Sequence, residues 1–165
     1  MSYQDLKRIT ERVTNRLTRD VVVHENLCDI REFMQINRVV LYYFYREWKG
    51  QVTAESLSST DFSILGYTGA DDCFNDGHAA LYQGGRTRAI ADIEKEPIHE
   101  CHRDFLRSIQ VKANLVVPVL VHQRLWGLLA AHDCQKPHIW TDSEMEFMKN
   151  KATIIANHPI IIDNG

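Results

Sequence analysis

The sequence predicts an α+β domain in which helices pack on an antiparallel sheet. Apolar residues recur at helical spacing at the N-terminus, and a capped helix is predicted near the C-terminus. Between them lie runs of β-branched and aromatic residues that are paired across short turns, as in hairpins. The chain has 165 residues and no internal repeat or linker, which is the size of one domain with a substantial core.

Two amphipathic helices are predicted first. One covers residues 4–19, and the other runs to Met34, after which Asn37 breaks the period. Each set of apolar residues returns every three or four positions, so it forms one stripe that can face a core. These positions are Leu6, Ile9, Val13 and Leu17 in the first helix and Val23, Leu27, Ile30 and Met34 in the second.

The middle of the chain predicts a hairpin, a loop and a short helix. Residues 39–45 and 52–57 read as strands joined by a turn at Gly50. Residues 58–72 are rich in Ser, Thr, Gly and Asp, which indicates a loop. Residues 74–82 form a short helix in this interpretation, which two glycines close.

The second half predicts a short strand at 88–93, a short helix at 101–109 and a hairpin of strands 115–121 and 125–132. Thr141 or Asp142 can cap a last helix.

Three residues mark irregular points in this half. Pro159 should end the last helix early. Pro118 has no N–H to donate, which argues for a sheet edge or a bulge, and Gly127 indicates a close approach of another group.

Composition and charge exclude several classes of function. A net charge of −3 gives no reason to expect nucleic acid or an anionic membrane as a partner. The apolar run at 113–121 is too short to span a bilayer, so we expect no membrane insertion. The N-terminus has no secretory apolar region, and four cysteines without a dense framework read as reduced thiols, so we expect a cytoplasmic protein.

Two of the cysteines stand in specific surroundings. Cys73 lies in Asp71-Asp72-Cys73-Phe74, beside carboxylates that make it a poorer standing nucleophile. Cys101 lies near the start of a predicted helix, where the dipole favours the thiolate. Spacing alone favours a structural cysteine at position 101 and an incidental loop cysteine at position 73. Cys28 reads as core filling, and no reactive role is assigned to Cys134.

The motifs around these cysteines, in their order along the chain, resemble the bilin-binding GAF domain of a cyanobacteriochrome, a phytochrome-related photoreceptor. The match is carried by residues 71–74, 100–106, 114–119 and 125–132. The resemblance implies a single GAF photosensory domain over residues 1–165, with helices on both faces of a central antiparallel sheet. It also implies the subtype with two reactive cysteines, the first in an Asp-X-Cys-Phe motif.

The resemblance implies a covalent chromophore, phycocyanobilin or phycoviolobilin, and assigns the cysteines their roles. Cys101 would form a permanent thioether with the A-ring side chain of the bilin. Cys73 would add reversibly to the central methine bridge, which shortens the conjugated system and gives a blue-absorbing state. Light would isomerise the D ring and release Cys73, which gives a green, teal or orange state. No enzyme activity is expected beyond attachment and possible isomerisation of the bilin.

Further site residues follow from the same resemblance. Asp71 would accept hydrogen bonds from pyrrole N–H groups, because an ionised carboxylate only accepts. His102 would polarise Cys101 or pack on the pigment, and Phe74 would pack on a ring. One or both of two arginines would bind the propionates, and a family histidine would line the pocket; these residues are Arg86, Arg88 and His132. Without the resemblance, the arginines are equally a solvated pair.

A sensor of this kind needs a signalling output domain or a partner protein, and its terminal helices could support a homodimer. Two alternatives remain open. One is a GAF domain that binds a small molecule such as a cyclic nucleotide without a covalent bond. The other is a thiol or metal sensor, although no pair of candidate ligands has zinc-knuckle spacing. Its candidate ligands are Cys73, His78, His99, Cys101, His102 and Cys134.

Overall fold

The computed structural model describes residues 2–68 and 76–163. Within these ranges the chain forms six helices, five strands and one 3₁₀ turn at Thr60–Phe62. The helices are α1 Tyr3–Arg19, α2 Val21–Met34, α3 Asp76–Gln83, α4 Glu100–Ser108, α5 Asp142–Ala156 and α6 Pro159–Ile162. The strands are β1 Arg38–Arg46, β2 Lys49–Leu57, β3 Arg88–Ile90, β4 Ala113–Val121 and β5 Arg124–Asp133.

The five strands form one antiparallel sheet in the order β2-β1-β5-β4-β3. One face of the sheet carries α1, α2 and α5, which share a continuous apolar core with it. The other face carries a second apolar cluster, to which α3 and α4 contribute. The predicted α+β class with helices on both faces is therefore confirmed, as is the packing of the N-terminal and C-terminal helices on one face.

The helix ends follow local sequence signals. Ser2 caps α1 in a capping box with Asp5, and Asp20 caps α2 through the Val23 N–H at 2.9 Å. Thr141 caps α5 in a second capping box with Glu144, as the sequence predicts. Each cap satisfies backbone N–H groups that have no partner inside the helix.

The structure corrects several boundaries. β3 ends at Ile90, three residues earlier than predicted, because the Asp92 side chain and carbonyl accept N–H groups of the following turn. Pro159 follows the end of α5 but also begins α6, where its fixed φ suits the first turn. Cys28 is half-buried on α2, with its sulfur 3.2 Å from Ser56 Oγ, so the prediction that it fills the core is wrong.

The hairpin of β4 and β5 shows the two irregularities that the sequence predicts. Pro118 lies beyond the stretch that β3 pairs, so its missing N–H costs no sheet hydrogen bond on that side. Gly127 lies against β1, and a Cβ atom there would stand 2.0 Å from the carbonyl oxygen of Tyr42. Only glycine therefore permits β1 and β5 to pair at this point.

Replacing Gly127 with alanine should destabilise the domain by about 3 kcal/mol, because the clash is with backbone that cannot rotate away. A loss of this size lowers Tm by about 10 °C. Gly84→Ala is the matched control, since a Cβ there meets nothing closer than 3.4 Å, and it should stay within about 0.5 kcal/mol of the parent. Equal Tm values for the two variants would contradict the close approach. Circular dichroism melting measures both.

Among the described residues, no helix combines the length and the apolar character that crossing a membrane requires.

Candidate functional site

A cavity of about 580 Å³ lies between the sheet and the helices α3 and α4. Its volume is in the range of pockets that enclose a small organic ligand. The floor is apolar and comes from the strands, whereas one side is basic. The floor residues are Val40, Phe44, Val52, Val116, Leu128 and Ala130.

The cavity brings together five of the residues that the sequence singles out. They are Arg86, Arg88, Cys101, His102 and His132. They come from the segment before β3, from β3 itself, from α4 and from β5, which are far apart in the chain. The other three predicted site residues, Asp71, Cys73 and Phe74, lie outside the described residues.

Cys101 lies half-buried in the first turn of α4 and faces the cavity. His99 is the N-cap of this helix, and its Nδ1 atom accepts the Cys101 N–H at 3.1 Å. Arg103 holds the helix start to the preceding loop by donating to the carbonyls of Ile93 and Glu96, at 2.9 and 2.6 Å. The sulfur of Cys101 is bonded in a disulfide, so the expectation that the cysteines are reduced thiols is wrong for this residue. Reduction of that disulfide has to precede any role of Cys101 as a nucleophile.

The basic side of the cavity consists of two arginines and two histidines. Arg86 lies just before β3 and stacks over the Tyr82 ring at 5.6 Å, while Arg88 is the first residue of that strand. Burial lowers the pKa of His102 to about 4, with further contributions from Arg88, His78 and Arg86.

The same causes act on His78 at the rim, because partial desolvation and the two arginines lower its pKa. Of the described residues that line the cavity, none is an aspartate or a glutamate. This side is therefore suited to an anion.

His132 lies deep in the cavity wall and is 4% exposed. The Arg38 Nε–H donates to His132 Nδ1 at 3.0 Å. Burial and this guanidinium together hold the pKa of His132 well below its ordinary value, so the ring is neutral.

Sequence reasoning missed Arg38 and Asn114, and it named His78 only as a candidate metal ligand. Asn114 is 3% exposed and lines the cavity opposite His132 on β4, and its Oδ1 atom has no hydrogen-bond partner among the described residues. A buried polar atom without a partner is rare in folded proteins, which indicates a wall shaped for a polar ligand group. The signal for Asn114 was present in the sequence, since it is the polar residue in an apolar run.

The lining residues fit a linear tetrapyrrole. Such a ligand has an extended apolar body, two propionates and several polar N–H and C=O groups. The strands offer the apolar floor, the basic side offers two guanidinium groups, and Asn114 and His132 offer polar atoms in the wall. Cys101 also lines the cavity, where it would offer a nucleophile once its disulfide is reduced.

The described residues do not support the alternative of a metal sensor. Within them no group of three His, Cys, Asp or Glu side chains could hold a metal ion. Cys73, one of its candidate ligands, lies outside that part of the chain.

Comparison with known proteins gives a family. Residues 18–158 match the GAF domain family. An uncharacterized protein of a Picosynechococcus species is 49% identical over 97% of this chain and 98% of its own length. A putative methyl-accepting chemotaxis protein of a Synechocystis species is 35% identical over 87% of this chain, but the match spans only 14% of that longer protein.

Solved structures share the fold. The blue-light absorbing form of the Thermosynechococcus elongatus PixJ GAF domain superposes with a TM-score of 0.78, at 27% identity, over 99% of this chain and 90% of that one. The phycoerythrobilin-bound GAF domain from a cyanobacterial phytochrome has a TM-score of 0.75 over 96% of this chain and 95% of that one. At 23% identity, this second likeness shows the fold alone.

Proposed function

The chain belongs to the GAF domain family, and on that premise we propose that it senses light through a covalently bound linear tetrapyrrole. The observation that carries the proposal is the cavity of about 580 Å³, which is lined by an apolar floor, a basic side and the helix-terminal residue Cys101. The likeness to the PixJ domain, whose crystal form absorbs blue light, supports it. The bilin supplies absorption of visible light and a D-ring double bond that isomerises.

Cys101 is the permanent anchor in this proposal. Its thiolate adds to the side-chain double bond of the A ring, so that one carbon–sulfur bond forms and the neighbouring carbon takes a proton. A thiol reductant would first have to reduce the disulfide at Cys101, after which the addition itself needs no oxidant and no leaving group. His102, the next residue along α4, is neutral above about pH 4 as long as no pigment is bound.

The basic side orients the pigment. Arg86 and Arg88 are half-buried, and guanidinium groups bind carboxylates with paired hydrogen bonds. We assign the propionates to them, with His102 and His78 beside them. The positions of these four side chains set which end of the pigment reaches Cys101.

Cys73 is the reversible thiol in this proposal, and Asp71 binds the pyrrole N–H groups. Bonding of Cys73 to the central methine gives a blue-absorbing state, and its release gives a green, teal or orange state. The pigment is phycocyanobilin, or phycoviolobilin if the cavity isomerises it. These assignments rest on the Asp-X-Cys-Phe resemblance of residues 71–74.

The light signal has to leave through a second module. Helices α1, α2 and α5 cover the face of the sheet opposite the cavity. In this proposal these helices transmit the conformational change from the cavity to the output module. The chemotaxis relative carries its similar segment inside a much longer chain. We therefore expect a signalling output domain or a partner protein to receive the signal, and a homodimer through these helices is compatible with it.

An absorption spectrum after loading with phycocyanobilin tests the function. We expect a blue-absorbing and a longer-wavelength state that interconvert under light, and a pigment that stays attached in acid denaturant. The denatured spectrum also separates phycocyanobilin from phycoviolobilin and one D-ring isomer from the other. A protein that remains colourless would overturn the proposal and favour the non-covalent small-molecule alternative.

Binding of the pigment should take up protons. The two propionates would offset the arginines, so the pKa of His102 should rise above about 4 on binding. The complex then holds more protons than the free protein, so the affinity for the bilin must increase as the pH falls. The increase is up to about tenfold per pH unit for one proton, and it ends near the pKa of His102 in the free protein.

Titration calorimetry between about pH 7 and pH 5 in the Cys101→Ala background, which prevents covalent capture, measures this uptake. His102→Gln should remove the His102 share, whereas His122→Gln, at an exposed turn, should leave it unchanged. The dimethyl ester of the bilin lacks the carboxylates and should show no pH dependence of this origin. An ester that behaves like the diacid would contradict the assignment of the basic side.

A further inference from the structure

Arg38 is a buried cation held by neutral partners. It is the first residue of β1, is 0% exposed, and makes no ion pair with a described residue. Burying a guanidinium is costly unless its N–H groups are bonded. Its Nη1 and Nη2 atoms donate to the carbonyls of Phe62 and Ile109, each at 2.7 Å, and its Nε donates to His132 Nδ1 at 3.0 Å.

The contact with His132 fixes a proton. A guanidinium only donates, so the Nδ1 atom of His132 has to accept with its lone pair. A neutral imidazole that accepts at Nδ1 carries its hydrogen on Nε2. His132 is neutral, because burial and Arg38 lower its pKa well below the ordinary value. Since His132 also lines the cavity, the ring offers an Nε2–H donor there.

The other groups against this pair leave the assignment unchanged. Asn114, the cross-strand partner of His132 on β4, is uncharged. Cys134 follows β5 and is buried, and burial raises the pKa of its thiol, so it is neutral as well. Glu55 and Tyr67 act on Arg38, where they favour the charged guanidinium. Burial is the larger cause of the lowered pKa of His132, and Arg38 is the charged group that adds to it.

We propose that Arg38 is a positioning residue of the cavity, which locks His132 in its Nε2–H form and so presents the ligand with a fixed hydrogen-bond donor. The chemical group that this donor selects is a neutral hydrogen-bond acceptor. His132 does not act as a proton acceptor at neutral pH. The inference rests on the proposed function only for the identity of the ligand.

Arg38 also connects His132 to α4, the helix that carries Cys101. Ile109 is the C-cap of α4, and a cation there interacts favourably with the negative end of the helix dipole. One guanidinium thus joins the helix that begins beside Cys101 to the histidine on β5. If Arg38 only supported the backbone, its hydrogen bonds to the carbonyls of Phe62 and Ile109 would suffice. The test therefore has to measure the protonation of the two ring nitrogens of His132.

Nitrogen NMR of the full chain with labelled histidine, before any ligand is added, gives that measurement. We expect the His132 signals of wild type to show a protonated Nε2 and an unprotonated Nδ1, unchanged between about pH 8 and pH 6. A protonated Nδ1 in wild type would overturn the proposal. Because no bilin is present, this outcome is independent of whether the protein is a photoreceptor.

Variants separate positioning from structural support. Arg38→Met removes the donor, so both tautomers of His132 should become populated, and Arg38→Lys should restore the Nε2–H form. Arg103→Met is the matched control, because Arg103 also donates to two backbone carbonyls but contacts no histidine with its guanidinium. It should lower Tm without changing the His132 signals. If Arg38→Met folds with the wild-type signals, Arg38 only supports the backbone, and if it does not fold, the wild-type and Arg38→Lys spectra decide.

Discussion

Replacing Cys101 with alanine should abolish all pigment that survives denaturation, from a stoichiometric yield to none. The thioether is the bond that resists acid and detergent, and Cys101 is the described cysteine that faces the cavity, at the N-terminus of α4. The substitution also removes the disulfide at Cys101, which costs about 2–4 kcal/mol, so circular dichroism melting of both proteins under reducing conditions has to accompany the measurement. Denaturing electrophoresis with detection of the bilin measures the covalent yield.

The matched control for this variant is Cys28→Ala. Cys28 is also half-buried on a helix, but it lies on α2, away from the cavity, with its sulfur near His24 and Ser56. Its replacement should leave the covalent yield unchanged. The anchor assignment is wrong if Cys101→Ala retains the full yield of covalent bilin while Cys73 is also replaced.

Replacing Cys73 with serine should remove the blue-absorbing state entirely while the Cys101 linkage remains. The neighbouring Asp71 and Asp72 make this thiol a weak standing nucleophile, so its addition to the pigment is near balance and a small movement of the methine can reverse it. Without the second thioether the conjugation cannot be interrupted. The variant should therefore show only longer-wavelength absorption, whichever light is given, in spectra recorded after each illumination.

A thiol reagent gives an independent measurement. In the Cys28→Ala background, alkylation during illumination should trap the protein in the long-wavelength form, because Cys73 is released from the pigment only there. Alkylation in the blue state should have no such effect. If Cys73→Ser still forms the blue state and reverts, Cys73 is an ordinary loop residue and the two-cysteine interpretation fails.

Much of the fold follows from local sequence. The apolar stripes of α1 and α2, the Thr141 cap of α5 and the alternation in the hairpin strands each act within a few residues, so one sequence displays them. The turn between β4 and β5 is an instructive exception. His122 and Gln123 both have positive φ, at 51° and 64°, in a two-residue turn that usually uses Asn or Gly. Strand pairing on both sides holds them there.

The sequence by itself determined the α+β fold and the candidates Cys101, His102, Arg86, Arg88 and His132, because periodicity and motifs are properties of neighbouring residues. Tertiary structure decided that these five line one cavity and that Asn114 carries a buried oxygen in its wall, with no hydrogen-bond partner in the described part of the chain. Tertiary structure also decided the role of Arg38. The sequence shows only that this residue precedes a predicted strand. Its partners Ile109 and His132 are 71 and 94 residues away, and whether a cation is buried depends on such distant contacts, which no local pattern encodes.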